Sequence, residues 1–356
     1  MSENAKRRAL LEKQKNGYDV MSAEELKACH EFNEDYKYFI DAAKTEREAV
    51  DYAVEAAKAA GFKPYKRGDK LKPGDKIYQV NRGKAIAVMV IGQHDVHDGI
   101  NISGAHIDSP RIDLKMSPLF EDHEIAFFKT HYYGGIKKYQ WVNIPLELHG
   151  VIALKDGTVI KVRCGDKPED PIFIINDLLI HLSAEQMKKG AAEVVPAESM
   201  NAIVGTIPDA EDDGSDRVKL AVMGIINDMY GITDADSTGR TYAGSRHERA
   251  RRGLDRSLIA ATPDDRVRIR RLRAVLIPRT PPTIMCLLVD KEENGSTGVS
   301  GANCWFDTLG IAAEFGMSLR ECFRAPFSCP TRRRRSTNYP QPSIRATRPS
   351  SITVWA

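Results

Sequence analysis

Seven consecutive apolar residues at 85–91 (AIAVMVI) place the tightest constraint on what this chain can fold into. The run has strand length, and a strand without a polar side has no face to give to water. It must be covered on both sides, as strands are inside α/β layers. The preceding sequence supplies helices to cover it. Ser22 and Glu25 have the spacing of a capping box, which predicts a helix from about Ala23, and Thr45 with Glu48 repeats the signal. Val50, Val54 and Ala57 then share one helical face, and Gly61 is placed to cap the C-terminus. Further strands are expected at 76–80, 100–105 and 284–289 (IMCLLV).

A chain of 356 residues is long enough for about two domains. After Pro110 the texture changes to short alternating segments, with Asp156-Gly157 between VIAL and TVIKVRC as a strong hairpin signal. Residues 112–235 are therefore expected to form a β-rich module inserted into an α/β domain, whose two parts are 1–111 and 236–320. No internal repeat is visible.

Composition breaks sharply near residue 240. Residues 1–239 hold 23 Lys and 8 Arg, whereas residues 240–356 hold 1 Lys and 20 Arg. The stretch TDADSTGRTYAGSRHERARRG (233–253) is Arg-rich where a β segment is expected, and patterning resumes at Leu254. From Pro330 onward there is no acidic residue and no apolar period, so 321–356 is expected to be a disordered Arg/Pro/Ser-rich tail. Loss of periodicity together with the Lys-to-Arg switch is what a shifted reading frame produces. The other meaning of such a tail is an arm for nucleic acid or an acidic partner. Its arginines lack interleaved aromatics apart from Tyr339 and Trp355, and no nucleic-acid recognition fold precedes them, so a nucleic-acid partner is not expected. No apolar run reaches membrane-spanning length, and the N-terminus lacks the apolar stretch of a secretory signal. Six scattered cysteines without a CxxC pair point to reduced thiols in a cytoplasm and argue against a thiolate zinc site.

Three clusters carry residue types suited to metal chemistry. His106 and Asp108 follow a predicted strand; an imidazole there can bind a metal while the carboxylate orients the ring, or the two are unrelated loop residues. Asp264-Asp265 precedes a possible helix, as N-caps do, yet a carboxylate can also bridge two cations. Glu292-Glu293 follows the IMCLLV strand, where open α/β sheets place their ligand sites; a solvated acidic turn is the alternative. A fourth stretch, HYYGGIKKYQW (131–141), is dense in glycine and aromatics and suits either a substrate-facing loop or β packing. Taken together, a histidine, an isolated aspartate and a glutamate pair have the composition of a two-metal hydrolase, and N/O ligands suit zinc, with manganese or cobalt as alternatives.

GAHIDSPRIDLKMSPLFED (104–122), HYYGGIKKYQWVNIPLELHG (131–150), LDRSLIAATPDDRV (254–267) and CLLVDKEENGS (286–296) resemble, in that order, the M18 (aspartyl aminopeptidase-like) metallopeptidases, most closely the bacterial branch. The resemblance is near-continuous from about residue 5 to 235 and survives as islands at 254–267 and 284–298. It implies an α/β/α zinc-peptidase catalytic domain with an inserted β-rich dimerisation domain. It also implies two Zn2+ per site (Mn2+ or Co2+ as alternatives), peptide substrates, and homo-oligomers, commonly dodecamers. Position by position, His106 resembles a ligand to one zinc, with Asp108 orienting it, and Asp265 resembles the carboxylate that bridges the two metals. Glu292 resembles the general base and Glu293 a terminal metal ligand. His181, in DLLIHL, resembles a histidine that enters a neighbouring subunit's active site.

The C-terminal part departs from the family. Members complete the site with a further Asp and a C-terminal His, whereas beyond Glu293 this chain has only Asp307 and no histidine. Asn294 also stands where the family has an apolar residue. The expected activity is removal of N-terminal residues from peptides by a co-catalytic dimetal mechanism. The alternative is an impaired or inactive member, or a fragment, that keeps only the oligomerisation module.

Overall fold

A computed structural model of the chain describes residues 15–95, 100–236 and 282–295, with short pieces at 241–245, 251–252, 258–259, 272, 275–276, 300–301 and 327–328. Helices α1 (Ala23–Ala42) and α2 (Glu46–Ala59) start where the capping boxes predict. Ser22 and Glu25 exchange side-chain and backbone hydrogen bonds, as do Thr45 and Glu48. Gly61 follows α2 at φ 81°, the left-handed conformation that glycine adopts without penalty.

Strands β1 (Lys63–Pro64), β2 (Lys76–Asn81), β3 (Ala85–Val90) and β4 (Asn101–His106) come next. They are followed by β5 (Arg111–Asp122), β6 (Ile125–Tyr133), β7 (Leu146–Ala153), β8 (Val159–Cys164) and β9 (Ala202–Gly205). Helix α3 (Arg217–Tyr230) precedes β10 (Thr241–Ser245), β11 (Arg251–Arg252), β12 (Leu258–Ile259), β13 (Ile284–Val289) and β14 (Phe327–Ser328).

Two six-stranded sheets result. The first runs in the order β1-β2-β3-β13-β4-β14, and the second in the order β8-β7-β10-β5-β6-β9. All six residues of β3 are buried, as an unbroken apolar strand requires. On one face Ile86, Val88, Cys286 and Leu288 pack with Tyr36 and Phe39 of α1 and with Val50 and Ala53 of α2. Met89, Ile102 and Met285 belong to a separate apolar cluster. Burying a side chain of this size contributes roughly 1.5–3 kcal/mol, so this layer holds the sheet rigid beneath whatever its strand ends carry.

The second sheet contains the Asp156-Gly157 hairpin, with β7 and β8 antiparallel and Gly157 at φ 88°. Two features go beyond the expectation of a β-rich module. Helix α3 lies inside the stretch 112–235, and its Val218, Val222 and Ile226 pack with Leu148, Ile152 and Val162. Val218, Val222, Ile226 and Tyr230 recur every four residues, a helical period within a stretch otherwise rich in short strands. Strand β10, in the Arg-rich text beyond 235, also joins this sheet, pairing with β7 and β5. Of the tail from residue 321, Phe327–Ser328 is described, and it pairs in parallel with β4.

Candidate metal centre

Strands β4 and β13 are parallel neighbours, with Ala105 opposite Leu288 and His106 opposite Val289. This register aligns their carboxyl ends, so the residues that follow each strand meet although 184 positions separate Asp108 from Glu292. After β13 the chain turns sharply. Lys291 takes φ 72° and Gly295 φ 100°, bracketing the 3-10 turn Glu292–Asn294. The ligand atoms of His106, Glu292 and Glu293 all lie within 4.8 Å of one another, with Glu292 exposed and the other two half-buried. One imidazole and two carboxylates at that spacing fit a divalent cation of the zinc class.

Asp108 underlies the group and is fully buried. His106 Nδ1 lies 2.9 Å from the Asp108 carbonyl oxygen and 3.4 Å from its Oδ1. A ring that donates its Nδ1–H to this carbonyl keeps the Nε2 lone pair for a metal. The Asp108 carboxylate accepts the Tyr133 hydroxyl at 2.7 Å and the Glu292 and Glu293 N–H groups at 3.2 Å each. Burial pushes its pKa up, but hydrogen bonds from His106, Tyr133 and the Glu293 N–H outweigh that and bring it down to about 2. Asp108 is therefore a permanent anion that ties the histidine to the glutamate turn.

Tyr133 itself was missed as a site residue; the sequence left its aromatic stretch undecided between loop and packing. Burial first, and the neighbouring Asp108 second, hold its hydroxyl protonated far above the ordinary tyrosine range, so it is a fixed donor. The Arg111 guanidinium lies 3.9 Å from the centre of its ring. Arg111 and Lys84 in turn pair with the buried Glu46 at the start of α2, at 3.7 and 3.1 Å. Gly134 is the other hidden contributor. It sits at φ 69°, and a Cβ there would come 3.1 Å from Glu293 Cβ and Oε2. Glycine lets the backbone pass directly against the glutamate.

Of the remaining expected residues, His181 is described and stands apart from this group. Asp265 lies outside the described residues, as does Asp307. His181 occupies an exposed turn among Leu179, Ile180 and Leu182, which are 69–71% exposed. No helix among the described residues is long and apolar enough to cross a membrane.

The sequence profile of the aminopeptidase I zinc metalloprotease family (M18) matches residues 39–309. An M18 family aminopeptidase 1 of Clostridium acetobutylicum is 40% identical over 305 residues, covering 83% of this chain and 66% of the relative. The crystal structure of an M18 family aminopeptidase from Thermotoga maritima superposes with a TM-score of 0.80 at 40% identity, covering 87% of this chain and 69% of that one. The Saccharomyces cerevisiae mApe1 dodecamer shares the fold at 17% identity with a TM-score of 0.59, covering 81% of this chain and 67% of that one. The chain thus spans just under two thirds of the length of the curated relatives it matches. With its mixed α/β fold, it belongs to the M18 family of zinc metallopeptidases.

Proposed function

We propose that this chain carries the catalytic apparatus of a zinc aminopeptidase, which removes N-terminal residues from peptides. The observation that carries this reading is the convergence of His106, Glu292 and Glu293 at the joined carboxyl ends of β4 and β13. His106, Glu293 and Asp265 would hold the zinc, two ions per site in this reading, with manganese or cobalt as alternatives. A bound dication supplies Lewis acidity to the scissile carbonyl and acidifies water. Glu292, exposed at the mouth of the group, takes a proton from the attacking water and returns it to the leaving amine. Asp108 touches no substrate; it is a positioning residue that acts through His106.

The inserted β-rich sheet acts as a dimerisation unit in this reading, with catalytic parts at 1–111 and 236–320. His181 reaches a partner subunit's site from its exposed apolar turn, in a homo-oligomer as large as a dodecamer. The compartment is the cytoplasm in this reading, consistent with Cys29 and Cys164 as thiols outside any disulfide. A second reading, an impaired member, rests on the Arg-rich text from residue 240, in which the family resemblance survives only as islands at 254–267 and 284–298.

Aminoacyl-nitroanilide hydrolysis with excess zinc separates the two. Turnover abolished by Glu292→Gln supports the first. Zinc bound at His106 and Glu293 without turnover supports the second.

A further inference from the structure

A second convergence of metal-type donors lies away from the glutamate turn. Glu147 and His149 are alternate residues of β7, and Asp166 follows β8, which pairs with β7. Alternate strand residues point to the same face, so Glu147 and His149 project together. Their ligand atoms and that of Asp166 lie within 4.8 Å of one another. His149 Nε2 is 3.0 Å from Asp166 Oδ1 and 3.6 Å from Glu147 Oε1. Donors around a tetrahedral zinc, with bonds of about 2.0–2.2 Å, are spaced by roughly 3.3–3.6 Å; the Glu147 distance falls at the upper end of that range and the Asp166 distance about 0.3 Å below it.

The protonation pattern sharpens the case. His149 Nδ1 lies 2.9 Å from Glu48 Oε1, a carboxylate already fixed through its Oε2 by the Thr45 backbone in the α2 capping box. An Nδ1–H donated to Glu48 leaves Nε2 as a bare lone pair, the arrangement by which a carboxylate orients a metal-binding histidine. The Glu147 side chain is 1% exposed, and neither of its oxygens accepts a hydrogen bond among the described residues. His149 Nε2 makes none either. Lys44 Nζ pairs with Glu147 Oε1 at 3.5 Å without hydrogen-bonding it, and Arg163 Nε pairs with Asp166 Oδ2. These cations offset two of the three carboxylates but leave a buried lone pair facing carboxylate oxygens. Such an arrangement needs a proton or a metal ion at its centre.

We propose that Glu147, His149 and Asp166 form a second divalent-cation site of the zinc class, with Glu48 orienting the histidine. Glu48 belongs to α2, whereas Glu147 and His149 belong to β7 and Asp166 follows β8, so the ion ties the helix layer to the second sheet. Glu48, which orients His149, and Arg163, which pairs with Asp166, both line an open cleft of about 540 Å3 between the helices and strands β7 and β8.

The test uses the full chain carrying His106→Ala and Glu293→Gln, which removes the imidazole and one carboxylate of the other donor group, with Zn2+ as the probe. After dialysis it should retain about one zinc per chain, and zinc should raise its melting temperature. Adding His149→Gln should abolish both effects. Asp166→Asn, at the solvent side, should weaken zinc binding by roughly 10–100-fold with an unchanged far-UV circular dichroism spectrum. Loss of all zinc with the His106 and Glu293 changes alone overturns the proposal, as does unchanged affinity in Asp166→Asn. A 15N shift showing His149 Nε2 protonated in excess zinc also overturns it, because the central occupant is then a proton.

Discussion

Replacing Tyr133 by Phe removes one oxygen and little else. The ring keeps its place against Arg111, 3.9 Å away, and Lys291, 4.9 Å away. What is lost is a 2.7 Å hydrogen bond to a buried carboxylate, leaving Asp108 Oδ2 with the longer Glu293 N–H contact at 3.2 Å. Hydrogen bonds to charged groups contribute about 1.5–3 kcal/mol. The fall of the Asp108 pKa from 3.8 to about 2 is worth roughly 2 kcal/mol in all, and Tyr133 is one of its causes. We therefore expect local opening of the Glu292–Glu293 turn to become about 1–2 kcal/mol easier, so that its amides exchange hydrogen roughly 5–30-fold faster. Zinc affinity should fall about 10–100-fold, since the histidine's support loosens. The pH dependence has a definite sign. Because the folded pKa is depressed, the stabilisation is present above the ordinary value of 3.8 and is lost as pH falls through about 2. The gap between the two proteins should thus be constant near neutrality and close in acid. Equal exchange rates and equal zinc affinity at pH 7 would refute the role given to the hydroxyl.

Glu46→Gln removes the buried carboxylate shared by Lys84 and Arg111, which keep Asp290 at 3.9 Å and Asp113 at 2.8 Å, and should destabilise the chain by about 1.5–3 kcal/mol at pH 7 in urea denaturation. Burial raises the Glu46 pKa, but Arg111 and Lys84 outweigh it and the net shift is downward, so the deficit must shrink as pH falls below 4.5; a deficit that grows in acid contradicts this. Gly134→Ala forces a side chain into a φ of 69° and against Glu293, so zinc titration should show weaker binding at the His106 group and unchanged binding at His149. Ser22→Ala removes the α1 capping box and should cost about 1 kcal/mol, read as a small fall in thermal stability with unchanged zinc affinity.

Local signals carried far in this sequence. The capping boxes at Ser22 and Thr45, the apolar run of β3 and the hairpin at Gly157 are short-range patterns, and each appears in the fold where its chemistry places it. His106, Asp108 and the glutamate pair were also legible, because strand-end position and ligand chemistry can both be read locally. Tyr133 and Gly134 were not. Nothing in YYGG distinguishes a tyrosine that packs from one that donates to a carboxylate 25 residues earlier; only the β5–β6 register decides it. The same holds for Glu147 and His149. The motif PLELHG reads as an ordinary strand until Glu48 from a helix and Asp166 from the next strand's exit arrive beside it.

The junction between the sheets explains why the site depends on both. Ile107–Pro110 leads from β4 of the first sheet straight into β5 of the second, so the candidate metal centre sits at the point of entry into the second sheet. β5 then pairs with β6 so that Arg111 lies opposite Tyr133. That register returns the chain to the entry point, bringing the Tyr133 hydroxyl onto Asp108 and the Gly134 backbone against Glu293. A hairpin slipped by one residue would send the opposite face toward the site, because such a slip exchanges the two sides of a strand. The second sheet therefore takes part in the candidate metal centre. Its first hairpin supplies the buried donor that fixes the Asp108 carboxylate, and it does so only because the chain enters and leaves that hairpin beside the glutamate turn. Changes in the hairpin's far end, around Asp122 and Ile125, can vary without moving the site, whereas changes at the Arg111–Tyr133 end act on it directly.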